Sequence, residues 1–219
     1  MKLYDYFRSS ASYRVRIALE LKQITYELVQ VHLVNNGGEQ YSDDYQKLNP
    51  MQRVPTLVDG DFTLTQSLAI ITYLDNKYPN NSLLSTSKET SAQILSFAQT
   101  IACDIHPLNN LSVLKYLKAN LNCSEDEKIK WYHHWIHTGF KAIETQLKKT
   151  KGLYSFDSQV TLADLCLIPQ VYNAIRFEVD LSDYPLINLV YNNCNKLDAF
   201  KKASPEYVEQ NQIKAKTAV

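Results

Sequence analysis

The spacing of the apolar residues changes character near residue 80, and this change commits the chain to a two-part architecture. Before it, short β-type and helical patterns alternate. Residues 2–7 hold the β-formers Tyr4, Tyr6 and Phe7. In residues 12–22, Tyr13, Ile17 and Leu21 recur at i, i+4, i+8 on one helical face. Residues 25–33 alternate apolar and polar, as a strand does. Asn35-Asn36-Gly37-Gly38 reads as a loop and 40–48 as a short helix, ended by Asn49-Pro50. Residues 56–58 and 62–64 flank Asp59-Gly60-Asp61, a hairpin signature in which Asp-Gly supplies positive φ. Leu68, Ile71, Leu74 and Tyr78 form a helical stripe over 66–78, which Pro79 stops. The order β-α-β-α-β-β-α predicts a compact α/β domain of mixed sheet over 1–80.

Residues 81–87 read as a polar linker, and 88–219 carry helical stripes only, giving an all-α second domain. Ile94, Phe97, Ile101, Ile105 and Leu108 form one stripe. Ile129, Tyr132, Ile136, Phe140, Ile143 and Leu147 form another. Thr161 and Asp164 are spaced as a capping box, with Asp in place of Glu. Leu162, Leu165, Ile168, Tyr172 and Ile175 continue from it, and Pro169 should kink that helix. Pro185 opens a further helix through Leu197. The last fifteen or so residues are polar and are expected to be loosely held.

Composition narrows the function. Lys+Arg and Asp+Glu are both 23, so the chain lacks the basic footprint of a nucleic-acid or anionic-membrane binder. Its five glycines cannot build G-x-G-x-x-G or G-x-x-x-x-G-K-[ST], which excludes the common glycine-loop nucleotide sites. No apolar run approaches the length of a membrane span. The four cysteines form no C-x-x-C, and with no export signal they read as reduced thiols of a cytoplasmic protein.

Three polar features could carry chemistry. Arg8-Ser9-Ser10-Ala11-Ser12-Tyr13-Arg14 lies between the first strand and the first helix, where free N–H groups and the positive dipole end suit a thiolate or carboxylate. A plain helix cap by Ser9, Ser10 or Ser12 explains the same residues. Val54-Pro55 precedes a strand, and its peptide bond can be cis, turning the Val54 backbone towards an extended peptide, or an ordinary trans bond. Gln66-Ser67 opens a helix and suits an α-carboxylate or, again, a cap. Together the three point to an extended, carboxylate-bearing peptide ligand. His133 and His137 share a helix face, but no H-E-x-x-H is present and Trp131 and Trp135 crowd the segment, so helix packing is expected and no metal. Cys166, within Leu165-Cys166-Leu167-Ile168, reads as a buried small hydrophobe.

These motifs resemble those of the zeta class of glutathione transferases, and within it the maleylacetoacetate isomerases. The family pattern S-S-C-x-[WY]-R-V-R-I-A-L appears as residues 9–19, N-P-M-x-x-V-P-T-L as 49–57, and Q-S-L-A-I-I as 66–71. H-P-L-x-N-L appears at 106–111 and T-L-A-D-x-C-L-x-P-Q-V at 161–171, followed by Asn173-Ala174 and Arg176-Phe177. The resemblance implies a thioredoxin-like N-terminal domain, an all-α C-terminal domain, a homodimer, and glutathione as cofactor. It implies glutathione contacts at Ser9, Ser10, Ala11, Ser12, Tyr13, Arg14, Gln40, Val54, Gln66, Ser67, His106, Asn110, Leu111 and Ser112. Arg176 matches an arginine placed for a substrate carboxylate, and Arg8 and Arg14 are further candidates.

The implied activity is cis–trans isomerisation of maleylacetoacetate to fumarylacetoacetate in tyrosine and phenylalanine breakdown, by thiolate addition, rotation and elimination. Ser9 is the expected thiolate donor, with Ser10 as its alternative. Two positions depart from the family: Ala11 stands in place of Cys and Asp157 in place of Gly. Within the same fold, a maleylpyruvate isomerase or a general conjugating and dehalogenating transferase would use the same thiolate. A non-catalytic binding module would keep the fold without the serines. A thiol-disulfide reductase would need a cysteine between Tyr4 and Arg14, where there is none.

Overall fold

The computed structural model describes residues 1–150 and 152–217. Residue contacts divide it into two compact units, Met1–Ser82 joined by the stretch from Lys196 onward, and Leu83–Asn195.

The first unit runs β1 (Lys2–Asp5), α1 (Ser10–Leu21), β2 (Glu27–Gln30), α2 (Asp43–Leu48), β3 (Thr56–Asp59), β4 (Phe62–Thr65) and α3 (Ser67–Lys77). The sheet order is β2-β1-β3-β4, with β1 parallel to β2 and antiparallel to β3. This is the mixed, thioredoxin-like sheet expected of the sequence. Leu3 pairs with Leu28 on one side and Leu57 on the other, and Leu3 and Leu57 are fully buried with Ile17, Leu19, Ile70 and Leu74. In the β3–β4 hairpin Asp59 pairs with Phe62, so Gly60 and Asp61 form the loop. Only Gly60 has positive φ, at 61°. Asp59 therefore closes the strand, and its carboxylate accepts from Tyr73 Oη at 2.7 Å. On α1 every residue from Ser12 to Leu19 is buried, arginines included.

The second unit contains α4 (Lys88–Gln99), α5 (Leu111–Asn120), α6 (Glu125–Thr150), α7 (Leu162–Arg176) and α8 (Pro185–Cys194). A π-helical turn at Thr100–Ile105 and a 3-10 turn at His106–Asn109 continue α4 towards α5. Ile94, Phe97, Ile101 and Ile105 of one expected stripe and Tyr132, Ile136, Phe140, Ile143 and Leu147 of the other are buried, whereas Ile129, expected in the second stripe, is 42% exposed. Ile105 packs against α6 at Gly139. Gly139 on α6 is needed for this approach, since a Cβ there would lie 2.3 Å from Ile105 Cδ1. Asp164 accepts from Thr161 N and Ser155 N, each at 2.8 Å, as the capping-box spacing predicts. Burial pushes its carboxyl above the ordinary range. Pro185 opens α8, whose first turn is capped from a distance by Glu144, which accepts from Leu186 N at 2.9 Å and Ile187 N at 3.0 Å. The helix ends at Cys194, three residues short of the expected Leu197.

The chain then forms α9 (Asp198–Ala203) and α10 (Pro205–Thr217). The polar tail, expected to be loose, is helical, and Val208 is 7% exposed in a cluster with Tyr6, Phe7 and Val31. This stretch groups with the first unit, whereas its pattern had placed it with the helical domain. The contacts responsible are buried. Tyr13 Oη donates to Phe200 O at 3.3 Å. Arg16 donates through Nε to Ala203 O at 2.9 Å, through Nη2 to Phe7 O at 2.9 Å, and through Nη1 to Asp5 Oδ1 at 2.5 Å. Arg16 and Asp5 are both 0% exposed.

Candidate active site

Strand β1 ends at Asp5, and the loop Tyr6-Phe7-Arg8 delivers the chain to Ser9. Ser9 N donates to Tyr6 O at 2.8 Å, which turns the backbone into α1. Ser9 is the N-cap, and its Oγ accepts from Ser12 N at 3.2 Å. The cap reading of Ser9 therefore holds. It does not compete with a chemical role, because a hydroxyl that accepts retains its own proton to donate. Ser9 is half-buried, whereas Ser10 is 2% exposed at the first helical position. Ala11 is half-buried.

Ser12, Tyr13 and Arg14 turn inward. Burial pushes the Asp5 carboxyl up, and the Arg16 guanidinium opposes this. Arg14 is 2% exposed, and its Nη1 donates to Ser67 Oγ at 3.3 Å. This corrects the expectation that Arg14 meets a substrate carboxylate. It is an interior strut that joins the second turn of α1 to the first turn of α3.

The start of α3 is unusual. Gln66, its N-cap, sits at φ 70°, ψ 116° and provides no side-chain cap. A non-glycine residue at positive φ costs of order 1–3 kcal/mol and marks functional positions. Ser67 is not the cap, which removes that explanation for it. The N–H groups of the first turn lack a capping side chain while carrying the positive end of the helix dipole, an arrangement suited to an anion.

The Val54-Pro55 peptide bond is cis. Val54 is 8% exposed. The loop before it is held by two residues that sequence reasoning missed. Asn49 Nδ2 donates to Arg53 O at 2.6 Å, and Tyr45 Oη donates to the same carbonyl at 2.7 Å. The N-P dipeptide marked Asn49 only as a breaker; its bond four residues ahead has no periodic signature. Gln40, in a 3-10 turn, is 4% exposed. Gly38, at φ 116°, lies against it, and a Cβ there would fall 2.6 Å from Gln40 Nε2. Gln40 Oε1 is buried without a hydrogen-bond partner among the described residues.

Arg8 is exposed and lies over the Phe7 ring at 4.8 Å, with Glu209 Oε1 3.9 Å from its guanidinium. It lines a cavity of about 350 Å³ with Tyr6, Phe7, His32, Glu209 and Gln212.

In the second unit, His106 opens the 3-10 turn and is half-buried. Asn110 caps α5, its Oδ1 accepting from Ser112 N at 3.0 Å, Ser112 Oγ at 2.6 Å and Val113 N at 3.1 Å; Leu111 and Ser112 are exposed. Arg176 is exposed at the last position of α7. His133 Nε2 meets Phe177 O at 2.8 Å and His137 Nδ1 meets Tyr184 Oη at 2.8 Å, so both take the helix-packing role expected. Cys166 is 0% exposed, as expected. Asp157 holds φ 61° and its carbonyl lies 2.0 Å from where a Cβ on Gly152 would sit. The turn that uses Gly in the family pattern thus keeps its left-handed backbone here with Asp.

The N-terminal domain of glutathione S-transferases matches residues 1–76. The chain is 48% identical over 204 residues to a probable maleylacetoacetate isomerase of Vibrio cholerae serotype O1, covering 93% of this chain and 95% of that protein. Among solved structures, a bacterial zeta-class maleylpyruvate isomerase in its holo form is 43% identical, with a TM-score of 0.91 over 94% of this chain and 98% of the other. A maleylacetoacetate isomerase from Methylobacterium extorquens AM1, with bound malonate and GSH, is 36% identical with a TM-score of 0.91, covering 94% and 97%. No described helix is long and apolar enough to cross a membrane.

Proposed function

The chain belongs to the zeta class of glutathione transferases, and from that footing we propose that it is a glutathione-dependent cis–trans isomerase converting maleylacetoacetate to fumarylacetoacetate. The observation that carries this reading is the pair of helix N-termini in the first unit. One presents a half-buried hydroxyl at Ser9; the other is bare of caps behind a strained Gln66, with Ser67 tied to Arg14. The residues present fit a peptide thiol with free carboxylates, and the buried Gln40 Oε1, which has no hydrogen-bond partner among the described residues, is an acceptor for one of its N–H groups. Glutathione supplies the thiolate that adds reversibly to the cis double bond, so that the bond can rotate and the trans isomer leave.

The protein's part is electrostatic. An ordinary thiol has a pKa near about 8.5, and each unit by which it falls needs about 1.4 kcal/mol of preference for the anion. The Ser9 proton, free of its cap bond, and the N-terminal dipole of α1 provide a charge-assisted hydrogen bond and a positive partial charge for it. Ser9 is preferred to Ser10 because Ser10 is buried. Gln66 and Ser67 hold an α-carboxylate at the first turn of α3. Val54 offers its backbone beside the cis bond, and Asn49 and Tyr45 fix that loop. Arg8 and Arg176 are the arginines assigned to substrate carboxylates and to the developing enolate. His106, Asn110, Leu111 and Ser112 complete the proposed cofactor contacts.

A homodimer in the cytoplasm belongs to this reading. Met51 and Phe62 are exposed apolar side chains on the first unit, and none of the four cysteines is in a disulfide. Light scattering on the purified protein tests the dimer. The neighbouring reading, isomerisation of maleylpyruvate, is favoured by the likeness to the bacterial maleylpyruvate isomerase. The test is conversion of maleylacetone, maleylacetoacetate and maleylpyruvate, each with and without glutathione. Fast conversion that needs glutathione without consuming it supports an isomerase, and the ratio of kcat/KM values assigns the substrate. No conversion of any of them overturns the proposal.

A further inference from the structure

Five arginines are present; among the described residues Arg53 and Arg176 are both exposed with no carboxylate within ion-pair distance, and of these two only Arg176 is seated on an aromatic ring. Arg16 is spent on Asp5 and two carbonyls, Arg14 on Ser67, and Arg8 faces Glu209. Arg176 is exposed and has no carboxylate within ion-pair distance among the described residues, yet it is not loose. Its guanidinium carbon lies 4.9 Å from the centroid of the Phe177 ring. That ring is stacked on Tyr132 at 4.0 Å with an interplanar angle of 19°, and Tyr132 is 2% exposed in the core of α6.

The backbone beneath is locked as well. Val179 N donates to Ala174 O at 3.0 Å and Glu178 N to Ile175 O at 2.9 Å, the paired bonds of a Schellman cap, with Glu178 at φ 56°. Phe177 O is held by His133 Nε2 at 2.8 Å. A buried tyrosine therefore seats a phenylalanine, which seats an arginine whose fork has no carboxylate acceptor among the described residues. A guanidinium over an aromatic face keeps its in-plane donors available to a carboxylate while losing rotamer freedom.

We propose that Phe177, backed by Tyr132, is the positioning residue that orients Arg176 to receive a substrate carboxylate and so sets the KM for maleyl acids. This rests on the assignment of Arg176 to a substrate carboxylate made above. The ring acts through the arginine, so its removal weakens substrate binding and leaves the glutathione side of the reaction untouched.

The test is a kinetic cycle of Phe177→Leu, Arg176→Met and the double variant, measuring KM and kcat for maleylacetoacetate, KM for glutathione, and inhibition by malonate. Phe177→Leu should raise the substrate KM and the malonate inhibition constant about two- to fivefold, the range of an exposed cation–π contact, with glutathione KM unchanged. Phe177→Tyr should restore both. In the Arg176→Met background, Phe177→Leu should add nothing. Should Phe177→Leu not fold, pentafluorophenylalanine at 177 keeps the shape and removes the negative ring face, and the same rise in KM is expected. Additive effects of the two substitutions, or an unchanged KM with the fluorinated ring, overturn the platform. If Arg176→Met itself leaves KM unchanged, the carboxylate assignment of Arg176 has failed instead, and the platform with it.

Discussion

Replacing Arg16 by leucine should destabilise the protein by about 4 kcal/mol, because it breaks a fully buried ion pair from one side. The loss follows from what Arg16 touches. Its removal strands the Asp5 carboxylate in a site where both members of the pair are 0% exposed. It also takes a donor from Phe7 O and from Ala203 O. Breaking such a pair costs about 3–5 kcal/mol, and with the two carbonyls also losing a donor the figure is placed no lower than the middle of that range. With a urea slope of about 2 kcal/mol/M, the midpoint should fall by about 2 M, read by far-UV circular dichroism. Converting Asp5 to leucine in the same chain should recover a large part of the loss, since no buried charge then lacks a partner. The deficit should also shrink in acid. Without the guanidinium, burial alone acts on Asp5 and raises its folded-state pKa above the unfolded value of about 3.9. The variant is then relatively most stable below that value and loses stability as pH rises through the folded pKa. A loss below about 1 kcal/mol at pH 7, or a double variant as unstable as the sum of the singles, would refute the argument.

Three other outcomes follow from particular contacts. Ser9→Ala should raise the pKa of enzyme-bound glutathione by about one to two units, followed by thiolate absorbance, and slow isomerisation far more than Ser10→Ala does. It should also cost about 1 kcal/mol of stability, because the cap on Ser12 N is lost. Asp157→Gly should stabilise by up to about 1 kcal/mol by relieving the left-handed backbone at φ 61°, whereas Gly152→Ala, with its Cβ 2.0 Å from Asp157 O, should cost at least about 2 kcal/mol in thermal melts. Lys118 and Lys128 hold the Glu125 carboxyl down at about 2. Its contribution should thus be present above pH about 4.3 and vanish as pH falls towards 2, so the melting difference between wild type and Glu125→Gln should disappear in acid.

The parts of the fold legible in the sequence are those set by neighbours along the chain. Asp59-Gly60 placed the hairpin, Pro185 the start of α8, and the spacing of Thr161 and Asp164 the start of α7, because each acts within one turn of backbone. The site was legible in its residue types and partly misread in their roles. Arg14 read as a candidate for a substrate carboxylate because its partner Ser67 lies 53 positions away. Gln66 gave no hint of its positive φ, since a strained non-glycine residue carries no propensity signal. The tail from residue 196 read as part of the helical domain. Its polar attachments are to the backbone carbonyls of Phe200 and Ala203, which leave no trace in an apolar pattern.

Those carbonyl attachments bear on how the protein is made. The first unit is built from residues synthesised before the helical unit and depends on others synthesised after it, since Tyr13 Oη and Arg16 Nε donate to carbonyls of α9. At about 5–20 residues per second, roughly 6–23 s separate residue 82 from residue 196 on the ribosome. Throughout that interval the buried Arg16–Asp5 pair lacks one of its covers. A chain cut short after Asn195 would leave the helical unit whole and injure the opposite end of the sequence. Side-chain changes within α9 should be tolerated far better than its loss, because what Tyr13 and Arg16 hold is main chain.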